Sequence, residues 1–339
     1  MDDWRASAPA AQAAVLVTVA LVEGSGPREA GAKMLVDAGR VFDTIGGGHL
    51  ELRAIDIARA MLLDGRQRHI ERFALGPSLG QCCGGVVHLA FELASAAQLS
   101  LLAARRLEDT WRMVALDGDA DSALFDAEGR SIEGALCPQF VRTRGTHVMQ
   151  EQDGRRWLVD LVAAPRAHLV LFGAGHVGAA IVRALAHLPC TVTWVDERED
   201  MFPSQVPANV TVEACDAPEA LVAHAPANAS YLVMTHSHAL DQRLAEAIMA
   251  RPDVGWFGLI GSKTKRCQFE HRLRARGVPE ARIGAMVCPI GLPGIADKAP
   301  AVIAASVAVQ LLMEWEQAAA TVSPARLQMV ASFNIQLKT

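Results

Sequence analysis

The sequence predicts an α/β protein in two parts, a mixed α+β domain followed by a doubly wound domain built on a parallel sheet. Two observations carry that prediction. Beyond about residue 165, strand-like apolar runs alternate with helical stretches, the pattern that lays crossover helices on the faces of a parallel sheet. That alternation opens on His168-Leu-Val-Leu-Phe, which runs into Gly173-Ala-Gly-His-Val-Gly178. Ala179 to Leu188 then reads as a helix, and Val192 to Val195 as a strand ending on Asp196. Gly173, Gly175 and Gly178 fit the dinucleotide-binding fingerprint of a Rossmann-like fold. The first glycine permits the tight turn, the second lets a pyrophosphate approach the backbone, and the third packs helix on strand. Asp196 lies 18 positions after Gly178, where a carboxylate would meet a ribose hydroxyl.

The totals bound the remaining choices. At 339 residues, 51% hydrophobic and 20% charged, the chain can bury sizeable cores and is not disordered as a whole. The length prior suggests two domains. With the joint at Pro165-Arg-Ala they fall at 1–164 and 165–323, leaving a tail at 324–339. A net charge of −5 carries no basic signature and argues against nucleic acid as a partner. No uninterrupted apolar run approaches the roughly 20 residues that span a bilayer, so no membrane association is expected. The acidic start, Met1-Asp-Asp-Trp, lacks the positive region of a secretory signal, and a cytoplasmic protein is the expectation. Seven cysteines without a Cys-x-x-Cys exclude a zinc ribbon and a thioredoxin-type motif. Cys190 and Cys215 read as small buried hydrophobes; the adjacent pair Cys82-Cys83 does not.

In the first domain, Ala13 to Glu23 reads as a buried strand ending in the turn Gly24-Ser-Gly-Pro-Arg28. Ala32 to Val36 and Val41 to Thr44, joined by Asp37-Ala-Gly39, read as a hairpin. Ile45-Gly-Gly-Gly-His-Leu-Glu51 opens a helix through about Leu63, whose apolar residues at 50, 54, 57, 58, 61 and 62 keep one face. A second glycine-rich turn, Leu75 to Gly85, leads into a strand from Val86 to Leu93. Further strands are expected near 111–117, 121–125, 139–147 and 156–162. In the second domain, strands are expected at 168–172, 191–195, 209–213, 230–234 and 256–260. Helices are expected at 177–188, 217–224, 238–250 and 263–276, with a last apolar helix at about 299–318 that packs on the sheet or on another subunit.

Several stretches carry chemistry. Gly46, Gly47 and Gly48 precede a helix bearing His49 and Glu51; such a turn either needs positive φ or offers amides to an anion, and both readings stay open. Gly80-Gln-Cys-Cys-Gly-Gly85 is the most specific stretch, with Cys82 and Cys83 beside Gln81 and flanking glycines. Thiols there can act as nucleophiles toward persulfides or as soft ligands for thiophilic metals, against a buried pair or a vicinal disulfide. Thr235-His-Ser-His-Ala-Leu-Asp241 superficially resembles a His-x-His-x-Asp-His zinc signature but has its acid one position late. It reads better as a strand-to-helix turn with His236 at the sheet's carboxyl edge, where ligands sit in open α/β sheets. Gly258-Leu-Ile-Gly-Ser-Lys-Thr-Lys-Arg266 is another such turn. Ser262 suits a helix cap, and Lys263, Lys265 and Arg266 would face a phosphate.

Taken together, these residues resemble the XdhC/CoxI family of xanthine dehydrogenase accessory proteins over nearly the whole chain. The carrying motifs in the first domain are Gly24-Ser-Gly-Pro-Arg28, Gly31-Ala-Lys-Met34, Ile45-Gly-Gly-Gly-His-Leu-Glu51 and Leu79-Gly-Gln-Cys-Cys-Gly-Gly85. In the second they are Gly173-Ala-Gly-His-Val-Gly178, Thr235-His236, Gly258-Leu-Ile-Gly-Ser-Lys263 and Pro289-Ile-Gly-Leu292. The chain departs at Ala299-Pro-Ala-Val302, where relatives tend to carry an acid after the proline.

The resemblance implies a chaperone rather than a turnover enzyme. It would bind molybdenum cofactor (molybdopterin), hold it while a cysteine desulfurase supplies the sulfido ligand, and deliver it to the molybdenum subunit of xanthine dehydrogenase. Cys82 and Cys83 would contact molybdenum or the sulfur in transit, with Gln81 and His49 as polar neighbours of the Gly46-Gly47-Gly48 loop. Gly173, Gly175, His176 and Gly178, with Ser262 and Lys263, would hold phosphate; Asp196 and His236 complete the expected set. A homodimer is the family expectation. Two rivals stay open: an NAD-dependent oxidoreductase using the fingerprint and Asp196, and a maturation factor for a carbon monoxide or aldehyde dehydrogenase.

Overall fold

The computed structural model describes residues 4–5, 13–76 and 84–322. The chain forms two compact units, Met1–Ala164 and Pro165–Thr339.

In the first unit, the run Ala14–Ala20 is buried throughout because it is the middle of a sheet covered on both faces. That strand, β1 (Ala14–Glu23), pairs with β2 (Lys33–Val36) and β5 (Val86–Ala94). β3 (Val41–Asp43) and β4 (Arg68–Ala74) form the edges, giving the antiparallel order β3-β2-β1-β5-β4. Val15, Val17 and Val19 face the helix α1 (Gly48–Asp64), which docks through Leu50, Ala54, Ala58 and Met61. That spacing of four, four and three keeps one helical face inward. Burying Leu50 and Met61 contributes about 1.5–3 kcal/mol each, and the two alanines let the helix lie close to the sheet.

The opposite face of this sheet meets a second one. It consists of β6 (Thr110–Ala115), β7 (Ser122–Phe125), β8 (Ser131–Gly134), β9 (His147–Gln150) and β10 (Arg156–Val162), in the antiparallel order β8-β7-β6-β10-β9. Ala14, Leu16 and Ala20 pack there with Leu124, Leu158 and Val162, under the helix α2 (Ala96–Ala104). Charges are sealed into the same layer. Lys33 Nζ and Arg112 Nη1 donate to Asp160 at 2.8 and 2.9 Å, Arg112 Nη2 pairs with Glu92, and Arg68 lies 3.6 Å from Glu92.

The second unit is doubly wound. β11 (Ala167–Phe172), β12 (Cys190–Asp196), β13 (Val210–Ala214), β14 (Ser230–Val233) and β15 (Trp256–Leu259) are all parallel, in the order β13-β12-β11-β14-β15. Leu169, Leu171, Trp194 and Leu232 face α3 (His176–Ala184) and α8 (Pro300–Val322). Val170, Phe172, Val233 and Leu259 face α4 (Glu219–His224), α5 (His238–Ala250), α6 (Lys263–Ala275) and α7 (Glu280–Ala285). The predicted fold class is the observed one. α8 packs on its own unit through Ala304, Val307, Ala308 and Leu311, and Trp315 Nε1 donates to Ser230 Oγ at 3.0 Å. Among the described residues no helix is long and apolar enough to cross a membrane.

Some elements differ from expectation. No strand occupies 139–146, where one was expected; the ladder begins only at His147. That stretch is held instead by Phe140 against the rings of Trp111 and Phe125, and by Arg142, which donates to the Glu128 carbonyl. β4, β8, α2 and α7 were not foreseen. β4 buries only Phe73, so it shows no apolar alternation, and α2 is almost uniformly Ala and Leu, so it shows no periodicity beyond its Ser95 cap.

Candidate functional site

Three glycine turns that lie far apart in the first unit's sequence meet at one end of its first sheet. β1 ends at Glu23 opposite the start of β5 at Val86, so the turn after β1 lies beside the residues that precede β5. A Cβ on Gly85 would stand 2.3 Å from the Ser25 carbonyl oxygen, and one on Gly24 would stand 3.4 Å from the Gly85 Cα. The third turn joins through Pro27, whose Cβ would be 2.6 Å from a Cβ on Gly46. Arg28 Nη1 ties the cluster by donating to the Thr44 carbonyl at 3.3 Å. Gly85 is therefore needed for backbone-on-backbone packing, and Gly46 for close contact with the Pro27 ring. Gly47 and Gly84 differ, since among the described residues a Cβ on either would meet nothing within 4 Å. Cys82, Cys83 and Gln81 lie outside the described residues, but the flanking positions Gly76 and Gly84 are described, and Cys83 is bonded to Gly84.

The triple-glycine turn has its own anion. Gly46, Gly47 and Gly48 all hold positive φ, at 121°, 74° and 65°. Glu51 Oε2 accepts the N–H groups of Ile45 at 3.0 Å and Gly47 at 3.1 Å, together with the Thr44 hydroxyl. The acid lies four residues after the helix cap Gly47 and satisfies its amide, the logic of a capping box with a longer reach. This partner was legible as an early-turn acid, but its contact with the turn was missed. His49 is exposed on the first turn of α1. Nearby, His88 Nε2 on β5 lies 2.9 Å from Glu23 Oε1.

In the second unit the fingerprint glycines divide as their spacing predicts. A Cβ on Gly173 would lie 2.4 Å from the Met234 carbonyl oxygen, and one on Gly178 would lie 2.1 Å from that of Gly173, so both serve packing. Among the described residues a Cβ on Gly175 would meet nothing within 4 Å, which leaves the turn open at the helix start. His176 is exposed beside it as the first residue of α3.

Asp196 stands at the end of β12 as expected, but its carboxylate is turned into the protein. Oδ2 accepts from Ala174 N–H at 2.7 Å and Arg198 Nη2 at 3.0 Å. Oδ1 accepts from Arg198 N–H at 3.0 Å and Arg198 Nε at 2.9 Å. Burial pushes its pKa up, and the Arg198 guanidinium with the two N–H groups outweighs that and holds it below the usual carboxylate range. Four donors fill the acceptor directions of one carboxylate.

A small cleft opens at the carboxyl ends of β11, β12 and β14, lined by Gly173, Asp196, Glu197, Pro218, Thr235 and His236 among others. Its position follows from the topology, because the strand order reverses between β11 and β14, where open α/β sheets leave room for a ligand. His236 Nε2 lies 3.3 Å from Glu197 Oε1, both side chains being more than a third exposed. Glu197 was missed because the fingerprint points to the residue before it.

Other predicted residues are drawn inward. Asp241 is buried and accepts from Thr235 N–H at 3.0 Å, Thr235 Oγ1 at 2.7 Å and Lys265 Nζ at 2.7 Å. The Thr235–Asp241 stretch is thus a structural turn, and among the described residues no group of three or more His, Cys, Asp or Glu is placed to hold a metal. Ser262 caps α6 by accepting Lys265 N–H at 3.2 Å. Of the three cations expected to face a phosphate, Lys265 is tied to Asp241 and Arg266 pairs with Glu270 at 2.6 Å. Lys263 stays exposed.

Comparison with known proteins follows the same division. A family model described as the XdhC Rossmann domain matches residues 169–311, and one described as the XdhC and CoxI family matches residues 8–74. Escherichia coli (strain K12) YqeB, described as uncharacterized, is 30% identical over 148 residues. That match takes in 43% of this chain and 27% of YqeB, so the chain spans little more than a quarter of that relative's length. A crystal structure described as a xanthine dehydrogenase from Bacillus halodurans is similar with a TM-score of 0.73 over 91% of this chain and 94% of that one. At 19% identity the likeness shows a shared fold. The glycine turns, the sheet order and the two matched segments together place this chain in the XdhC and CoxI family.

Proposed function

We propose that this protein is a maturation factor for xanthine dehydrogenase that carries molybdenum cofactor as cargo rather than turning over a substrate. Membership of the XdhC and CoxI family supports the maturation role. The observation that carries the cargo reading is the meeting of three glycine turns at one end of the first sheet, with both described ends of the segment that bears Cys82 and Cys83. The donor set fits such a cargo. Gly47 and Gly84, where no described atom meets the Cβ position, suit a flat polar pterin, and a thiol pair suits molybdenum held by sulfur or a sulfur atom in transit.

In this reading Cys82 and Cys83 contact the metal or its sulfur, while Gln81, His49 and the Gly46-Gly47-Gly48 turn supply polar neighbours. Glu51 already fills the amides of Ile45 and Gly47. Within the second unit taken by itself, the Gly173–Gly178 turn, His176, Ser262 and Lys263 are the proposed phosphate-binding residues. A cysteine desulfurase would supply the sulfur and the molybdenum subunit of xanthine dehydrogenase would receive the loaded cofactor. The chain would act in the cytoplasm as a homodimer. Expression in a molybdopterin-producing host, followed by measurement of molybdenum and pterin per chain, tests the reading. Stoichiometric loading that Cys82→Ala/Cys83→Ala abolishes is the expected result. Absence of pterin from the unaltered chain, or full loading and delivery by the double variant, would remove it.

A further inference from the structure

We propose that a small pocket between the two sheets of the first unit binds a monovalent anion of halide size, held by the guanidinium of Arg68. The site lies at the opposite end of β4 from the segment that bears the cysteines, and its ligand is unrelated to the cargo.

An arginine inside a protein needs acceptors for its donors. Arg68 opens β4 directly across from Glu92 on β5, so both side chains stand on the face that meets the second sheet. Nη2 donates to the Ala120 carbonyl at 2.9 Å. Nε and Nη1 are sealed from solvent and have no hydrogen-bond partner among the described residues. Glu92 Oε1 lies 3.6 Å from Nη1, beyond hydrogen-bond reach, and the other oxygen of that carboxylate is taken by Arg112.

The layer has a cation to spare. Lys33 and Arg112 share Asp160, Arg112 also engages Glu92, and Asp121 is occupied by Arg155 at 2.8 Å. Lys33, Arg68 and Arg112 therefore face only Asp160 and Glu92. Burial pushes the Arg68 pKa below its ordinary value; Glu92 opposes that shift and Arg112 adds to it. A guanidinium still keeps its proton, and a buried charge without a counter-charge is costly.

The pocket supplies the place for a counter-ion. Arg68 and Glu92 border it, its apolar walls include Leu16, Ala90, Val114 and Leu158, and the Thr18 side chain lines it as well. Its interior has room for about one water-sized particle, which excludes a phosphate or an organic acid and leaves a halide as the anion nearest in size. A water molecule accepts from Arg68 but leaves the surplus charge in place. A halide accepts the same hydrogen bond and cancels the charge.

Urea unfolding of the purified full-length chain, in chloride and in gluconate at equal ionic strength, tests the proposal. Chloride is expected to raise the midpoint with an unchanged slope. Above its dissociation constant, each tenfold rise in chloride should lower the unfolding constant about tenfold. Bromide should substitute for chloride. Arg68→Gln should abolish the difference between the salts, with circular dichroism verifying the fold. A crystal of the unaltered chain grown in bromide gives a reading that needs no variant, because anomalous scattering should place the ion beside Arg68. Equal midpoints in the two salts, which would mean that water alone fills the pocket, overturn the assignment. So does a chloride effect that persists in folded Arg68→Gln, or a bromide crystal with no ion beside Arg68.

Discussion

The carboxylate of Asp196 accepts the backbone N–H of Ala174 at 2.7 Å, so the acid that ends β12 closes the glycine turn that follows β11. This bond fixes two neighbouring strand ends at the mouth of the cleft. Asp196→Asn replaces an acceptor of four bonds with a group that must present one donor to them. Arg198 is about a third exposed and can turn to solvent, so the ion-pair part of the loss is screened. A destabilisation of about 1–3 kcal/mol is expected, measured as a lowered urea midpoint with an unchanged slope.

A second buried carboxylate controls acid stability. Asp160 is fully buried on β10 and accepts from Lys33, Arg112 and the Thr146 hydroxyl. Burial pushes its pKa up, but the charges of Lys33 and Arg112 with the hydrogen bonds prevail and hold it below the ordinary value. A depressed folded-state pKa contributes stability in full above the unfolded value of about 3.9, and that stability is lost as pH falls through the folded one. Urea midpoints measured from pH 7 down to pH 3 should therefore fall. Asp160→Asn should cost about 3–5 kcal/mol at pH 7, because it leaves two cations in the inter-sheet layer, and should flatten that acid limb.

These two carboxylates also show how far the sequence could be read. The parallel order and the packing of Gly173 and Gly178 were legible because they follow from local spacing, and the structure reproduces each. Asp160, Lys33, Arg112 and Glu92 were not legible as a group, since they come from strands up to 127 residues apart and each sits in an ordinary β pattern. Asp196 was placed correctly on its strand, but which way its carboxylate turned depended on Arg198, a residue the fingerprint does not include. The pairing of Lys265, one of the three cations at 261–266, has the same origin. Lys265 looked available until the fold put Asp241 2.7 Å from it.

Glycine-to-alanine changes in the turn before α1 should separate strain from packing. At Gly47, φ is 74° and ψ is −167°, a region essentially confined to glycine, and no described atom meets the Cβ position, so Gly47→Ala meets backbone strain alone, about 1–3 kcal/mol. At Gly46, φ is 121° and a Cβ would lie 2.6 Å from Pro27 Cβ, so the turn after β1 must move as well. Gly46→Ala is expected to lower the thermal midpoint clearly more than Gly47→Ala. Equal shifts would mean that the two turns are not in firm contact.

Thiol labelling separates the cysteines by their surroundings. Burial raises the Cys190 thiol to about 11, and Cys288 is likewise buried with its thiol pushed up. At pH 8 a thiol of pKa 11 is ionised to only about one part in a thousand, and attack proceeds through the thiolate. Both should therefore stay silent toward a maleimide until the chain unfolds, whereas Cys267, which is exposed on α6, should be labelled in the native state. Contact of Cys82 and Cys83 with a cargo requires that they belong to the fast class in the empty protein. Peptide mapping after a short pulse should find them labelled, and cofactor-loaded protein should show both protected while Cys267 reacts as before. Slow labelling of the pair in the empty chain, matching Cys190, would place those thiols out of reach of any cargo and leave the glycine turns without a sulfur partner.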